Sequence, residues 1–220
     1  MTAPVPPSKP GPLQAFWFQI AYAWDRTFKT GKRRAEFEHK YRTEGDHFGY
    51  LTKPYEHEKY RRTLDAALRL RRGRGAALEI GCSVGVFTKM IASEFEAVTA
   101  TDIAAEALRI TAEQVAGAGA VTYAQSDLVS LKLEKTFDVI FVAEVLMYVR
   151  EPEGPLVLDV LDRHLKPDGI IIEVTQADRS PSPKFFYAWD RIIASRFPVL
   201  WRETTPDATR PYEIVAYARG

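Results

Sequence analysis

Leu78-Glu79-Ile80-Gly81-Cys82-Ser83-Val84-Gly85 is the stretch whose reading decides the fold of this chain. It sits between a segment with strand character and one with helical periodicity. Small residues at 81, 83 and 85 let the backbone turn sharply and come close to a ligand. Glu79 stands near the strand's carboxyl end, where open α/β sheets bind their ligands.

Outward from this turn, short apolar segments alternate with amphipathic ones. Strands are expected at 77–80, 97–101, 122–124, 138–143 and 170–174, with helices at 85–94, 104–116 and 156–165. That alternation marks a parallel sheet covered on both faces. Leu165-Lys-Pro-Asp-Gly169 reads as a helix stop and a turn into the fifth strand. A helix is expected at 184–195. Two more strands follow at 199–203 and 212–218, and their connector is too short for a crossover, so they should form an antiparallel hairpin at a sheet edge. The fold class is therefore α/β: a Rossmann-like, doubly wound, mostly parallel seven-stranded sheet, with an antiparallel C-terminal hairpin and an N-terminal helical cap.

Upstream the texture differs. Residues 1–12 carry five prolines and read as a disordered arm. Residues 13–72 read as a helical cap or lid. Phe16, Trp17, Ile20 and Trp24 recur at near-helical spacing, a polar helix is expected over 32–41, a loop over 45–54 and another helix over 55–72. In that last helix Tyr60, Leu64 and Leu68 form the apolar stripe, and Glu58/Arg62 and Asp65/Arg69 are spaced as (i, i+4) ion pairs. Residues 73–220 are the core.

Bulk properties narrow the function. Of 220 residues, 46% are apolar and 27% charged, and the formal net charge is +1, so no overall field recruits nucleic acid or membrane. The single cysteine provides no intramolecular disulfide, which suits a reducing, cytoplasmic setting. The prolines after Met1 resemble no secretory signal, and no apolar run is long enough to span a bilayer. His39, His47, His57 and His164 are not spaced as metal ligands, so no metal is expected. The arginines at 61, 62, 69, 71, 72 and 74 are interleaved with leucines and Asp65, the pattern of a solvated helix face. The chain should be a monomer or a homodimer with a small-molecule partner.

Three readings of the turn compete. Glycines at 81 and 85 alone do not meet the Gly-x-Gly-x-x-Gly spacing of dinucleotide sites. Gly81-x-Ser83-x-Gly85 does match the nucleophile elbow of a serine hydrolase, with Ser83 as nucleophile. That fold needs several strands before the elbow and a histidine after an acid, whereas a mostly helical segment precedes this one and the downstream histidine, His164, falls in a helix. The third reading is an acidic-x-Gly-x-Gly-x-Gly turn with serine in the middle. Asp102 ends the second strand about 20 residues past the turn, placed to accept ribose hydroxyls. Asp127 follows the third strand, within reach of an adenine amino group, and Glu144 ends the fourth. So many carboxylates suit an adenosyl ligand without phosphates.

In these features the chain resembles class I S-adenosylmethionine-dependent methyltransferases, and the nodulation protein S family in particular. The resemblance covers roughly residues 46–175. Its segments are Lys53-Pro-Tyr-Glu-His-Glu-Lys-Tyr60, Ala77-Leu-Glu-Ile-Gly-Cys-Ser-Val-Gly-Val-Phe-Thr88, Val142-Ala-Glu-Val-Leu-Met-Tyr148 and the more generic Leu165-Lys-Pro-Asp-Gly169. It implies methyl transfer from S-adenosyl-L-methionine to a small molecule, with N-methylation of an amino sugar or related metabolite ahead of O-methylation of a secondary metabolite. The implied cofactor-binding residues are Phe48, Tyr55, Glu79, Gly81, Cys82, Ser83, Gly85, Asp102, Ile103, Asp127, Leu128 and Ala143. The family places arginine after the aromatic that precedes its Pro-Tyr-Glu stretch, whereas Gly49 follows Phe48 here.

Glu144 is the first candidate to touch the acceptor and Tyr148 the second, one helical turn on. The alternative for Glu144 is a hydrogen bond to a backbone amide or to the cofactor, and for Tyr148 core packing with its hydroxyl in water. Cys82 has no basic neighbour and reads as a small buried residue. Tyr50 and Tyr55 either close over the cofactor or pack the cap. His47 or His57 either acts as a base from the cap or lies on the surface. The aromatic runs 16–24 and 185–189 are expected substrate walls.

Overall fold

A computed structural model describes residues 30–71, 73–176, 184–205 and 210–219, with the backbone alone at 184–187. The proline-rich arm, the aromatic stretch 16–24 and the Phe185 side chain lie outside the described residues.

Seven strands make one sheet: β1 (Ala76–Ile80), β2 (Ala97–Asp102), β3 (Val121–Gln125), β4 (Phe137–Ala143), β5 (Leu165–Gln176), β6 (Val199–Thr204) and β7 (Tyr212–Ala218), in the order β3-β2-β1-β4-β5-β7-β6. The pairs among β1 to β5 are parallel, while β7 runs antiparallel to both β5 and β6. The strand order reverses between β1 and β4, so a crevice opens at the carboxyl ends of these two strands.

Each central strand sends alternate side chains to opposite faces. Leu78, Ile140, Ile171 and Tyr217 meet α5 (Gly154–His164) and α6 (Lys184–Ala194) on one side. Ala77, Phe141, Ile172 and Ile214 meet α2 (Pro54–Leu70) and α3 (Val86–Ala92) on the other. Before α2, helix α1 covers 30–44; α4 (Ala105–Gln114) follows β2.

Three expectations need correcting. First, the segment 165–169 is not a turn ahead of β5 but its first part. Phe137 pairs with Leu165 and Val139 already with Ile170, so the extra residues bulge, which accommodates Pro167 without a ladder donor. Second, α2 buries not only Leu64 but also Glu56, Lys59 and Thr63, because the two charges neutralise each other inside. Third, Arg62 and Arg69 do not form the expected helix pairs. Arg62 reaches Glu203 on β6, and Arg69 lies 4.5 Å over the Trp201 ring, because β6 runs beside α2. Arg61 instead pairs with Glu58 and Asp65.

Candidate functional site

The β1–α3 turn is built on left-handed backbone. Gly81, Ser83 and Gly85 have φ of 79°, 53° and 82°. At Gly85 a Cβ would lie 2.9 Å from the Thr111 Cα on α4, so glycine is required both by conformation and by space. Asp102, at the tip of β2, staples the turn. Its Oδ2 accepts the Ser83 amide at 3.0 Å and its Oδ1 the Ala104 amide at 2.9 Å. Burial pushes Asp102 up to about 6, opposed by those amides. From α1, the Tyr41 hydroxyl donates to the Ser83 hydroxyl at 2.9 Å.

Above the turn lies a partly open cleft. Among the expected residues its lining gathers Phe48, Gly81, Ser83, Asp102, Ile103, Asp127, Leu128, Ala143, Glu144 and Tyr148. Four expected cofactor residues fall outside that lining. Glu79 is buried beneath the turn, where it accepts the Thr88 hydroxyl at 2.6 Å, and burial pushes it up to about 7. Cys82 points to Thr111, with its sulfur 3.4 Å from the Thr111 hydroxyl. Gly85 caps α3. Tyr55 packs edge-on against Tyr212 and donates to the Arg210 carbonyl at 2.6 Å. Asp127 lines the cleft and also caps its own turn, accepting from the amide and hydroxyl of Ser130.

Sequence reasoning missed Phe37, Tyr41 and Tyr60, which line the same cleft. They come from α1 and α2, whose polar composition gave no cleft signal beyond an aromatic at every few positions. Tyr148 is half-exposed at the cleft and meets Phe37 edge-on with ring centroids 5.2 Å apart, so it faces the opening rather than the core. Trp189, offered as a substrate wall, is carried by α6 and is buried in the core.

Glu144 follows β4 with φ of 53°, a conformation costly for a side chain of its shape. Its amide donates to the Val174 carbonyl at 2.8 Å, which anchors the bend to β5. Its carboxylate lines the cleft and pairs with the Lys59 ammonium. Lys59 also pairs with Glu56 at 2.6 Å, and Glu56 with Arg210 at 3.1 Å.

The hydrolase reading finds no base. The left-handed Ser83 shares the elbow's backbone, but its hydroxyl is engaged by Tyr41 and no histidine bonds to it among the described residues. His164 is wholly buried; its Nε2 accepts the Leu133 amide and its Nδ1 faces the Val160 carbonyl. His57 bonds the Leu51 carbonyl, and His47 packs on Phe48. Among the described residues there is no grouping of three metal-ligating side chains, and no helix is long and apolar enough to cross a membrane.

The cleft's chemistry fits an adenosyl group. Carboxylates stand at 102 and 127 for hydroxyl and amino donors, and Ile103, Leu128 and Val129 offer apolar surface for a base. Arg33 on α1 is the cation among the described lining residues, and it does not belong to the glycine turn, where a phosphate cradle would want one.

The strand order, the glycine turn and this acid-lined crevice define a Rossmann-like fold of the methyltransferase type. The chain belongs to the nodulation protein S (NodS) family, whose model matches residues 39–179. It is 32% identical over 121 residues to nodulation protein S of Rhizobium tropici, covering 54% of this chain and 50% of that one. It is 32% identical over 103 residues to the Bradyrhizobium diazoefficiens protein of the same name, covering 46% and 47%. The chain thus spans about half the length of these relatives. In structure it is similar to the N-methyltransferase NodS from Bradyrhizobium japonicum WM9 in complex with S-adenosyl-L-homocysteine. The TM-score is 0.74 at 20% identity, over 84% of this chain and 97% of that one.

Proposed function

We propose that this chain is an S-adenosylmethionine-dependent methyltransferase whose acceptor is a small amine, an amino sugar or a related metabolite. The observation that carries the reading is the placement of Asp102. Its buried carboxylate closes the left-handed turn at the tip of β1 and faces the cleft across the sheet's switch point from Glu144. The family membership and the ligand of the Bradyrhizobium japonicum structure support the same cofactor, and the N-methyltransferase activity of that protein favours nitrogen over oxygen.

When bound, the cofactor supplies a methyl group on a sulfonium sulfur, activated for in-line displacement. The chain's own residues bind, orient and dry the site. Asp102 retains acceptor capacity on both oxygens, since each holds one backbone amide and a carboxylate oxygen accepts two donors. Asp127 accepts from the base's amino group, beside Leu128. Phe48, Tyr50 and Tyr41 close the cleft from the segment ahead of the sheet. Glu144 meets the acceptor, and Phe37 with Tyr148 forms its aromatic wall.

Calorimetry with S-adenosylhomocysteine tests this reading. Micromolar-scale affinity, roughly −8 kcal/mol, is expected for the wild type, with a loss of an order of magnitude or more in Asp102→Ala. Equal affinity in the two would remove Asp102 from the site. Methyl incorporation into a panel of amino sugars and phenols then tests the acceptor; transfer to phenols alone would replace nitrogen by oxygen.

A further inference from the structure

Lys59 is the least expected residue near the cleft. It is the one lysine of α2 and is 1% exposed, whereas Arg61 and Arg69 on the same helix lie at the surface. Its Nζ contacts Glu144 on one side and Glu56 on the other, and stands 5.6 Å from the ring centroids of both Tyr55 and Tyr60. Arg210, from the segment ahead of β7, pairs with Glu56 as well. The row Arg210, Glu56, Lys59, Glu144 contains two cations and two carboxylates, and only its last member lines the cleft. The phenols of Tyr50, Tyr55, Tyr60 and Tyr148 also feel Glu144, and each is pushed upward first by burial and is therefore neutral; Arg33 and Glu153 are the charged residues that share the cleft lining with Glu144, Asp102 and Asp127 among the described residues.

A methyl acceptor amine has to be neutral. Its nitrogen lone pair forms the N–C bond as the C–S bond breaks, the positive charge passes from sulfur to nitrogen, and a proton then leaves to water. An unbalanced carboxylate beside that nitrogen would favour the ammonium, which has no lone pair to give. We propose that Lys59 is the charge-balancing, positioning partner of Glu144: it occupies one carboxylate oxygen and cancels the charge, so that the other oxygen orients the acceptor amine without trapping it as an ammonium. This rests on the methyltransferase reading above. Lys59 acts through Glu144 and touches neither the donor nor the acceptor.

The test needs no knowledge of the natural acceptor. Sinefungin carries a protonated amine where the transferable methyl group sits, whereas S-adenosylhomocysteine carries nothing there. The ratio of their affinities therefore reports the charge felt at the transfer point. Lys59→Met/Glu56→Gln removes one cation and one anion, keeps the row neutral and strips Glu144 of its partner. It is expected to leave S-adenosylhomocysteine affinity unchanged, since neither residue lines the cleft, and to shift the ratio toward sinefungin by about threefold or more. Glu144→Gln is expected to shift it the opposite way.

An unchanged ratio in the double variant overturns the proposal, as does a parallel loss of both ligands, which would make Lys59 merely structural. A ratio unmoved by Glu144→Gln overturns it too, by taking Glu144 away from the transfer point. If the wild type binds neither compound, the cofactor reading itself fails and this inference falls with it.

Discussion

The hydroxyl of Tyr41 donates to the hydroxyl of Ser83 across 2.9 Å, tying a helix ahead of the sheet to the turn at its centre. Burial raises Tyr41 far above the ordinary phenol value, with the nearby Asp102 adding to the rise, so the phenol remains a donor across the working pH range. Tyr41→Phe keeps the ring and removes the bond. It should lower unfolding free energy by about 1 kcal/mol, read by denaturant titration. An unchanged midpoint would mean that water replaces the bond without cost.

Asp102 gives the site a pH signature. Its ionised form is the one that accepts two hydroxyl donors, and burial places it at about 6. S-adenosylhomocysteine affinity should be level above pH 6 and fall as pH drops below it, by up to about tenfold per unit. Asp102→Asn should be weak throughout and nearly flat. Calorimetry from pH 5 to pH 8 distinguishes the two curves.

Glu173 makes folding itself pH-dependent. It is wholly buried under α6, its Oε2 has no hydrogen-bond partner, and burial with Asp190 and Glu213 nearby pushes it up to about 8. The folded state therefore holds a proton that the unfolded chain releases near its ordinary value. Stability should fall as pH rises between those two values, by about 1 kcal/mol per unit from pH 6 to pH 8. Glu173→Gln cannot ionise, so its melting temperature should fall less over that range and exceed the wild type's at pH 9.

Gly85→Ala should be among the most damaging single-methyl changes. It combines a left-handed φ with a 2.9 Å approach to a backbone atom, the Thr111 Cα, so neither partner can step aside. A loss of about 2 kcal/mol or more is expected from thermal unfolding. Thr111→Ala should not rescue it. The comparable approach at Gly81 is to the Val145 Cγ2, the end of a side chain that can rotate, so Gly81→Ala should be milder.

How much was legible in the sequence depended on how local each signal was. The turn at 81–85, the alternation of strands and helices, and the C-terminal hairpin were readable because each is fixed by neighbours along the chain. The set Asp102, Asp127 and Glu144 was readable because a parallel sheet sends every strand tip to one edge. Periodicity misled on α2, where Lys59 and Glu56 occupy inward positions that normally hold leucine. Their burial depends on Glu144, 85 residues from Lys59, and on Arg210, and no helical pattern registers partners that distant. Tyr41 was missed for the same reason, since its partner lies in another element. The segment 165–169 carried ordinary turn residues, and only its pairing with β4 reveals a bulge.

Ser83 and Glu144 adopt nearly the same left-handed bend at the ends of neighbouring strands, β1 and β4. Glycine at 144 would relax that bend, a gain of about 1 kcal/mol, but it would also take away one of the two carboxylates that face the buried Lys59 ammonium, a loss of about 3 kcal/mol. The ion pair therefore holds the strained backbone in place. A laboratory lineage selected for thermal resistance alone should retain the acid at 144 for as long as Lys59 stays, and should reach glycine only after the lysine has been replaced by an apolar residue.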